Sequence, residues 1–194
     1  MLFIANVPIT HLCITLVTCV PVMLLLIYKN QYRLKRILTF LNPWNDPHGA
    51  GFQIIQSLIA IGSGNWFGTG IAHSKQKFFY LPMQHTDFIF AIIAEEIGFI
   101  GVSTIIFLYA CFTYFGLRIA WQLKDTFAIF TTVGFTLLIA LQALINIFVV
   151  TGLLPTKGIS LPFISYGNSG LICLLCMIGI ISSFVKQTRI ANQA

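Results

Sequence analysis

Four stretches of this chain, residues 1–28, 88–117, 126–156 and 158–185, contain no lysine, arginine, aspartate or glutamate apart from Glu95 and Glu96. Each can hold the ~20 apolar residues that a helix needs to cross the hydrocarbon core of a bilayer. Backbone N–H and C=O groups in hydrocarbon must bond within their own segment, so runs of this kind fold as helices. The expected fold class is an all-α polytopic membrane protein, a single membrane domain over residues 1–194 with about four transmembrane helices near 2–28, 88–117, 127–152 and 164–185. One long loop, 29–86, separates the first two and is expected to contain short helices. Charged residues make up 8% of the chain, against about 25% in soluble domains, which excludes a sizeable soluble domain.

The first run is too long, and too interrupted by Pro8, His11 and Pro21, for a cleavable signal peptide, and no basic segment precedes it. It reads as a span, since transmembrane helices tolerate proline where neighbouring groups re-satisfy the freed carbonyls. All five cysteines, Cys13, Cys19, Cys111, Cys173 and Cys176, lie inside spans and say little about compartment. Cys173-x-x-Cys176 has no second pair and sits mid-helix, so packing is expected of it rather than zinc or redox chemistry.

Loop 29–86 carries Lys29, Arg33, Lys35, Arg36, Lys75 and Lys77 against Asp46 alone. Such a balance suits an anionic headgroup or a phosphate-bearing lipid, and equally a general affinity for acidic bilayer surfaces. Nucleic acid is not an expected partner, because the aromatic residues lie mostly in the spans and are not interleaved with the basic ones. With four spans both termini share one side, and loops 29–86 and 153–165 the other. Arg118, Lys124, Lys186 and Arg189 mark the terminal side as cytoplasmic; Lys29 to Arg36 argue the reverse, but long loops translocate largely regardless of charge. The long loop is therefore placed outside.

Within that loop, Phe52 to Ile59 puts Gln53, Gln56 and Ser57 on one helical face and Ile55, Leu58 and Ile59 largely on another, which predicts a short helix at the membrane surface, folded back on the spans. Gly62, Gly64, Gly68 and Gly70 follow in a run that could bring backbone N–H groups near an anion. Neither a Gly-Lys-Ser/Thr triplet nor a preceding strand accompanies them, so a flexible turn is expected. A second irregular stretch, Gly152 to Gly170, holds Pro155 and Pro162 among its glycines; non-helical backbone at membrane depth is tolerated only against protein or a watery cavity.

Asp87, Glu95 and Glu96 are three of the five acidic residues, and they stand at the start of the second span. A carboxylate at the edge of hydrocarbon is by default functional or paired. Asp87 suits two roles: capping a helix N-terminus, or acting as a general base at the mouth of a cavity, within reach of a hydroxyl. His85, Lys75 and Lys77 could tune it or hold a phosphate, but each taken alone reads first as a solvated loop residue. Glu95 and Glu96, being adjacent, must point in different directions, so at least one is expected to face the protein interior. The histidines are too scattered for a metal site, no nucleophile elbow is present, and no carboxylate pair of the glycoside-hydrolase kind stands out.

Taken together, Ser63-Gly64-Asn65-Trp66-Phe67-Gly68-Thr69-Gly70, Ser74-Lys75-Gln76-Lys77, Tyr80-Leu81-Pro82, His85-Thr86-Asp87-Phe88-Ile89-Phe90, Ala94-Glu95-Glu96-Ile97-Gly98-Phe99 and Leu161-Pro162-Phe163-Ile164-Ser165-Tyr166-Gly167 resemble the SEDS family (shape, elongation, division and sporulation; FtsW, RodA and SpoVE). The resemblance runs from about Arg33 to the C-terminus, and Ser74 to Lys77 are more similar to the FtsW cell-division type. It implies a peptidoglycan glycosyltransferase of the bacterial cytoplasmic membrane that polymerises lipid II, the undecaprenyl-pyrophosphate-linked disaccharide-pentapeptide, with a class B penicillin-binding protein and other division proteins as partners. The family's essential loop aspartate falls on Asp87, implied to deprotonate the acceptor 4-hydroxyl; Lys75, Lys77, His85 and Ser165 are implied to contact substrate.

Met83 stands where the family commonly has glutamate, and Gly167-Asn168-Ser169-Gly170 where it has Gly-Gly-Ser-Ser. Family members have ten spans, so this chain corresponds to the last four, with the missing N-terminal spans expected in trans if the protein is split. No cofactor-binding motif is recognisable, and a divalent cation, if used, would be held with substrate phosphates. Two other roles fit the same features: a lipid II transporter, and a non-catalytic remnant acting as a division scaffold.

Overall fold

Long apolar runs without charge fold as helices in the computed structural model, which describes residues 8–47, 49, 51–70, 73, 87–156 and 158–193. The described helices are α1 (Ile9–Lys29), α2 (Gln31–Leu41), α3 (Phe52–Ser63), α4 (Ile89–Gln122), α5 (Thr126–Val150) and α6 (Asn168–Gln193), with a 3-10 turn at Pro43–Asn45. Among the described residues there is no strand. Among the described residues, four helices, α1, α4, α5 and α6, are long and apolar enough to cross a membrane. The chain is a multi-pass, all-α membrane protein.

Contacts group the chain into two compact units, Met1–Phe52 and Gln53–Ala194. In the first, α1 contains Pro21 without ending there, and α2 follows after one residue. Beyond α2 the chain turns tightly at Asp46, whose carbonyl accepts from both Gly49 N and Gly51 N.

The second unit is built on the α4–α5 hairpin. Leu123–Asp125 joins the two helices, and the Asp125 side chain caps α5 by accepting from Phe127 N. The helices close on small residues: a methyl at Gly116 would stand 2.6 Å from Thr136, and Ala120 and Ala128 are buried. Lipid tails give no hydrophobic drive between helices, so close backbone approach across small side chains is what such hairpins use. The apolar core lies at the other end, where Ala60 of α3, Phe88, Phe90 and Ala91 at the start of α4, Ala143 and Val150 of α5, and Leu161 meet.

Two features differ from expectation. The short helix runs to Ser63, and its buried residues are Ile54, Ile55, Ser57 and Ala60, while Leu58 and Ile59 face outward. Polar Ser57 is inside because its hydroxyl donates to the carbonyls of Ile54 (2.8 Å) and Val150 (3.0 Å), the latter at the last turn of α5. Val150 O could not find a helical N–H partner there, so a serine serves where an apolar residue was expected.

The second span is not one straight helix. Gly98 has φ 73° and ψ −167°, which breaks α4 into Ile89–Ile97 and Phe99–Gln122. The glycine run inserts at this break. Phe99 N and Ile100 N, the free donors that start the second half, donate to Asn65 O (2.9 Å) and Trp66 O (3.3 Å). Thr69 N and Gly70 N donate to Glu95 O (2.9 Å) and Glu96 O (3.1 Å), carbonyls that end the first half. The run expected to be a flexible turn is thus a fixed splice, and at least these two of its N–H groups serve the helix break.

Candidate functional site

Asp87 precedes Phe88, the N-cap residue of α4, which supplies no side-chain cap. The aspartate therefore stands one position outside the capping site that its sequence position suggests. Its main chain is held by a residue distant in sequence. Asn146 of α5, 1% exposed, donates from Nδ2 to Asp87 O at 2.9 Å and to Ile159 O at 2.6 Å. An asparagine amide has two N–H donors, and both are used on carbonyls. Its Oδ1 is buried without a hydrogen-bond partner among the described residues. Such an orphan costs about 1–3 kcal/mol, a penalty tolerated at the residue that joins the Asp87 turn to the loop after α5.

That loop turns back into the bundle. One turn before Asn146, Gln142 Nε2 donates to Ser160 O at 3.0 Å, and Tyr109 of α4 donates its hydroxyl to Pro162 O. Irregular backbone at this depth needs its carbonyls satisfied by protein. Three polar side chains from two spans do that for residues 159, 160 and 162. Phe163 then takes a left-handed conformation, φ 65°, with its ring edge-on to Phe112. Leu161 is 1% exposed.

The carboxylate of Asp87 lies beside this loop: a methyl built at Gly158 would be 3.4 Å from Asp87 Oδ2. Asp87 itself is half-buried. Nearby, Ile89, Ile164, Ser165, Tyr166, Gly167, Asn168 and Leu171 line an open cavity of about 680 Å³. The Asp87 carboxylate stands next to Gly158, and the cleft, which Asp87 itself does not line, is bordered by Ser165, Tyr166 and Asn168.

Of the residues singled out from sequence, Asp87 and Ser165 are brought to this end of the second unit. Ser165 Oγ accepts from Leu161 N at 2.7 Å, closing the re-entrant turn, while the residue also borders the cavity. Lys75, Lys77 and His85 lie outside the described residues. Glu95 is 2% exposed and Glu96 half-buried, so of the adjacent pair one faces the interior. Cys173 and Cys176 are free and exposed along α6, not packed as expected. Sequence reasoning followed charge and missed Gln142, Asn146 and Tyr109. The available signal was two amide side chains four residues apart, hence on one helix face, in the otherwise apolar Leu141-Gln142-Ala143-Leu144-Ile145-Asn146.

Residues 1–190 match the cell cycle protein family of FtsW, RodA and SpoVE. The chain is 47% identical over 189 residues to the stage V sporulation protein E of Bacillus subtilis, covering 97% of this chain and 52% of that protein. It is 46% identical over 189 residues to a probable peptidoglycan glycosyltransferase FtsW of Geobacter sp., again covering 97% of this chain and 52% of the relative. A solved structure described as the structural coordination of polymerization and crosslinking by a peptidoglycan synthase complex superposes with a TM-score of 0.72 at 31% identity, over 97% of this chain and 51% of that one. The chain spans about half the length of the relatives it matches.

Proposed function

The chain belongs to the FtsW, RodA and SpoVE family of cell cycle proteins, and from that premise we propose that it carries the catalytic half of a peptidoglycan glycosyltransferase that polymerises lipid II at the outer face of the bacterial cytoplasmic membrane. One observation carries the proposal most directly: Asp87 is clamped by Asn146 through its carbonyl, with its carboxylate beside Gly158 of the re-entrant loop. In this reading the Asp87 carboxylate takes the proton of the acceptor 4-hydroxyl. The resulting oxygen nucleophile forms the new bond to the anomeric carbon of the donor sugar, and the bond from that carbon to undecaprenyl pyrophosphate breaks, the electron pair leaving with the pyrophosphate. General-base assistance of this kind is worth about 10²–10⁴-fold.

Lys75, Lys77 and His85, from the segment just before Asp87, would meet the pyrophosphate, and Ser165 would meet the sugar from the cavity rim. A divalent cation, if used, would arrive on the pyrophosphate. The upstream spans that the longer relatives have, present in the same protein or in trans, would complete the lipid-binding cavity. A class B penicillin-binding protein and other division proteins are the proposed partners, in keeping with the peptidoglycan synthase complex of the solved structure.

A transporter of lipid II is the second reading, favoured by the broken α4, since transporters build sites from discontinuous helices. There the half-helix ends face the substrate. Here Phe99 N, Ile100 N and the carbonyls of Glu95 and Glu96 are bonded to the glycine loop, which favours polymerisation. The test is Asp87→Asn in native membranes supplied with lipid II. Glycan strand formation should fall by at least about 10²-fold while lipid II translocation is unchanged. Loss of translocation alone would support the transporter, and normal division with neither activity altered would leave only a scaffold.

A further inference from the structure

We infer that Asn146 is a positioning residue for the reaction, locking the Asp87 turn and the re-entrant segment 158–162 into one rigid unit. The inference deepens the proposed general-base role of Asp87 and rests on it. Nδ2 bridges Asp87 O and Ile159 O, two carbonyls separated by 72 residues of chain. The amide orientation is dictated by chemistry, since the opposite flip would set Oδ1 against two carbonyl oxygens. Gln142, four residues earlier on the same helix face, fixes the adjoining Ser160 carbonyl, so α5 presents two amides to consecutive carbonyls of the loop. Both Nδ2 donors of Asn146 are committed to backbone carbonyls, and the Gln142 amide holds Ser160 O, so the part these amides play here is to hold the loop. Their effect must come through where they place Asp87 and Gly158.

Misplacement of a reacting group by about 1 Å costs up to ~10²-fold in rate. Asn146→Ala, in the full protein in native membranes with lipid II as substrate, should therefore lower kcat by about 10²-fold while KM for lipid II stays within about twofold. Asp87→Glu, which pushes the carboxylate out by one methylene, supplies the second arm. If Asn146 sets the carboxylate's position, the loss from Asp87→Glu should be large with Asn146 present and much smaller once it is alanine. Asn146→Asp, of nearly the same volume but with oxygen replacing the amide nitrogen, and Asn146→Ser, with one donor in place of two, are read in the same way if the alanine variant fails to accumulate.

A kcat within about twofold of wild type in these variants, a rise in KM alone, or strictly additive effects with Asp87→Glu would each overturn the inference. If instead Asp87→Asn retains full polymerisation, the general-base reading falls first and takes the positioning role with it. Failure of the inference alone leaves Asp87→Asn inactive and Asn146→Ala active.

Discussion

At Gly158 the chain leaves open a space that any other residue would fill. A methyl there would stand 3.4 Å from Asp87 Oδ2, an ordinary van der Waals distance, so Gly158→Ala should fold with stability within about 0.5 kcal/mol of the parent. The methyl would nonetheless occupy a volume beside the carboxylate through which an acceptor hydroxyl could approach. Polymerisation should fall about tenfold or more at unchanged thermal stability, since positional tolerance in a near-attack geometry is small. Wild-type activity in this variant would place the acceptor on the opposite side of Asp87. The candidacy of Asp87 was legible in the sequence, because a carboxylate next to an apolar span is anomalous by itself. That of Gly158 was not: one glycine in a loop rich in them carries no local mark, and its meaning comes only from a side chain 71 positions away. Asn146 lies between these cases, anomalous in its span but silent about the two carbonyls it reaches.

The helices themselves were legible from charge-free length, and the break in α4 was not. Gly98 interrupts a span in which no proline warns of a kink, and the break is stable only because the glycine run supplies partners for both exposed ends. Periodicity reports which residues share a face and cannot report which backbone groups meet. It misled at α3 for the same reason: Ser57 looked solvent-facing until the carbonyl of Val150 claimed it. The splice predicts a contrast between two glycines, Gly98 at the break and Gly62 in α3. At Gly98 a methyl would lie 2.3 Å from Gly68 N, in a backbone conformation that other residues adopt only under strain. Gly98→Ala should destabilise the second unit by about 3 kcal/mol or more. Amide exchange should show the loss first at Thr69, Gly70, Phe99 and Ile100, whose N–H groups join the two elements. At Gly62, inside α3, a methyl meets nothing within 4 Å. Gly62→Ala should be neutral or stabilise by up to about 1 kcal/mol. Equal effects at the two positions would show that the break is not held by the splice.

For the whole molecule, the proposed chemistry demands a sidedness that charge alone left contradictory, since Lys29 to Arg36 argue one way and Arg118, Lys124, Lys186 and Arg189 the other. In the second unit the α4–α5 hairpin gives two well-separated ends. Leu123–Asp125 turns the chain at one, while the Asp87 turn and loop 158–165 meet at the other through Asn146. An acceptor strand growing outside the cytoplasm requires the Asp87 end to face outward, which puts Leu123–Asp125 in the cytoplasm. Tyr166 and Gln122 are exposed at these two ends and serve as reporters. In a background with the native cysteines replaced by serine, Tyr166→Cys should react with a membrane-impermeant maleimide added to intact cells. Gln122→Cys should react only after the membrane is opened. The reverse pattern would set Asp87 in the cytoplasm, where lipid II polymerisation onto an external strand is geometrically impossible, and would remove the glycosyltransferase reading however well the site's geometry suits it. Labelling of both from outside would mean that α4 and α5 do not span the bilayer as a hairpin, although each is long and apolar enough to do so.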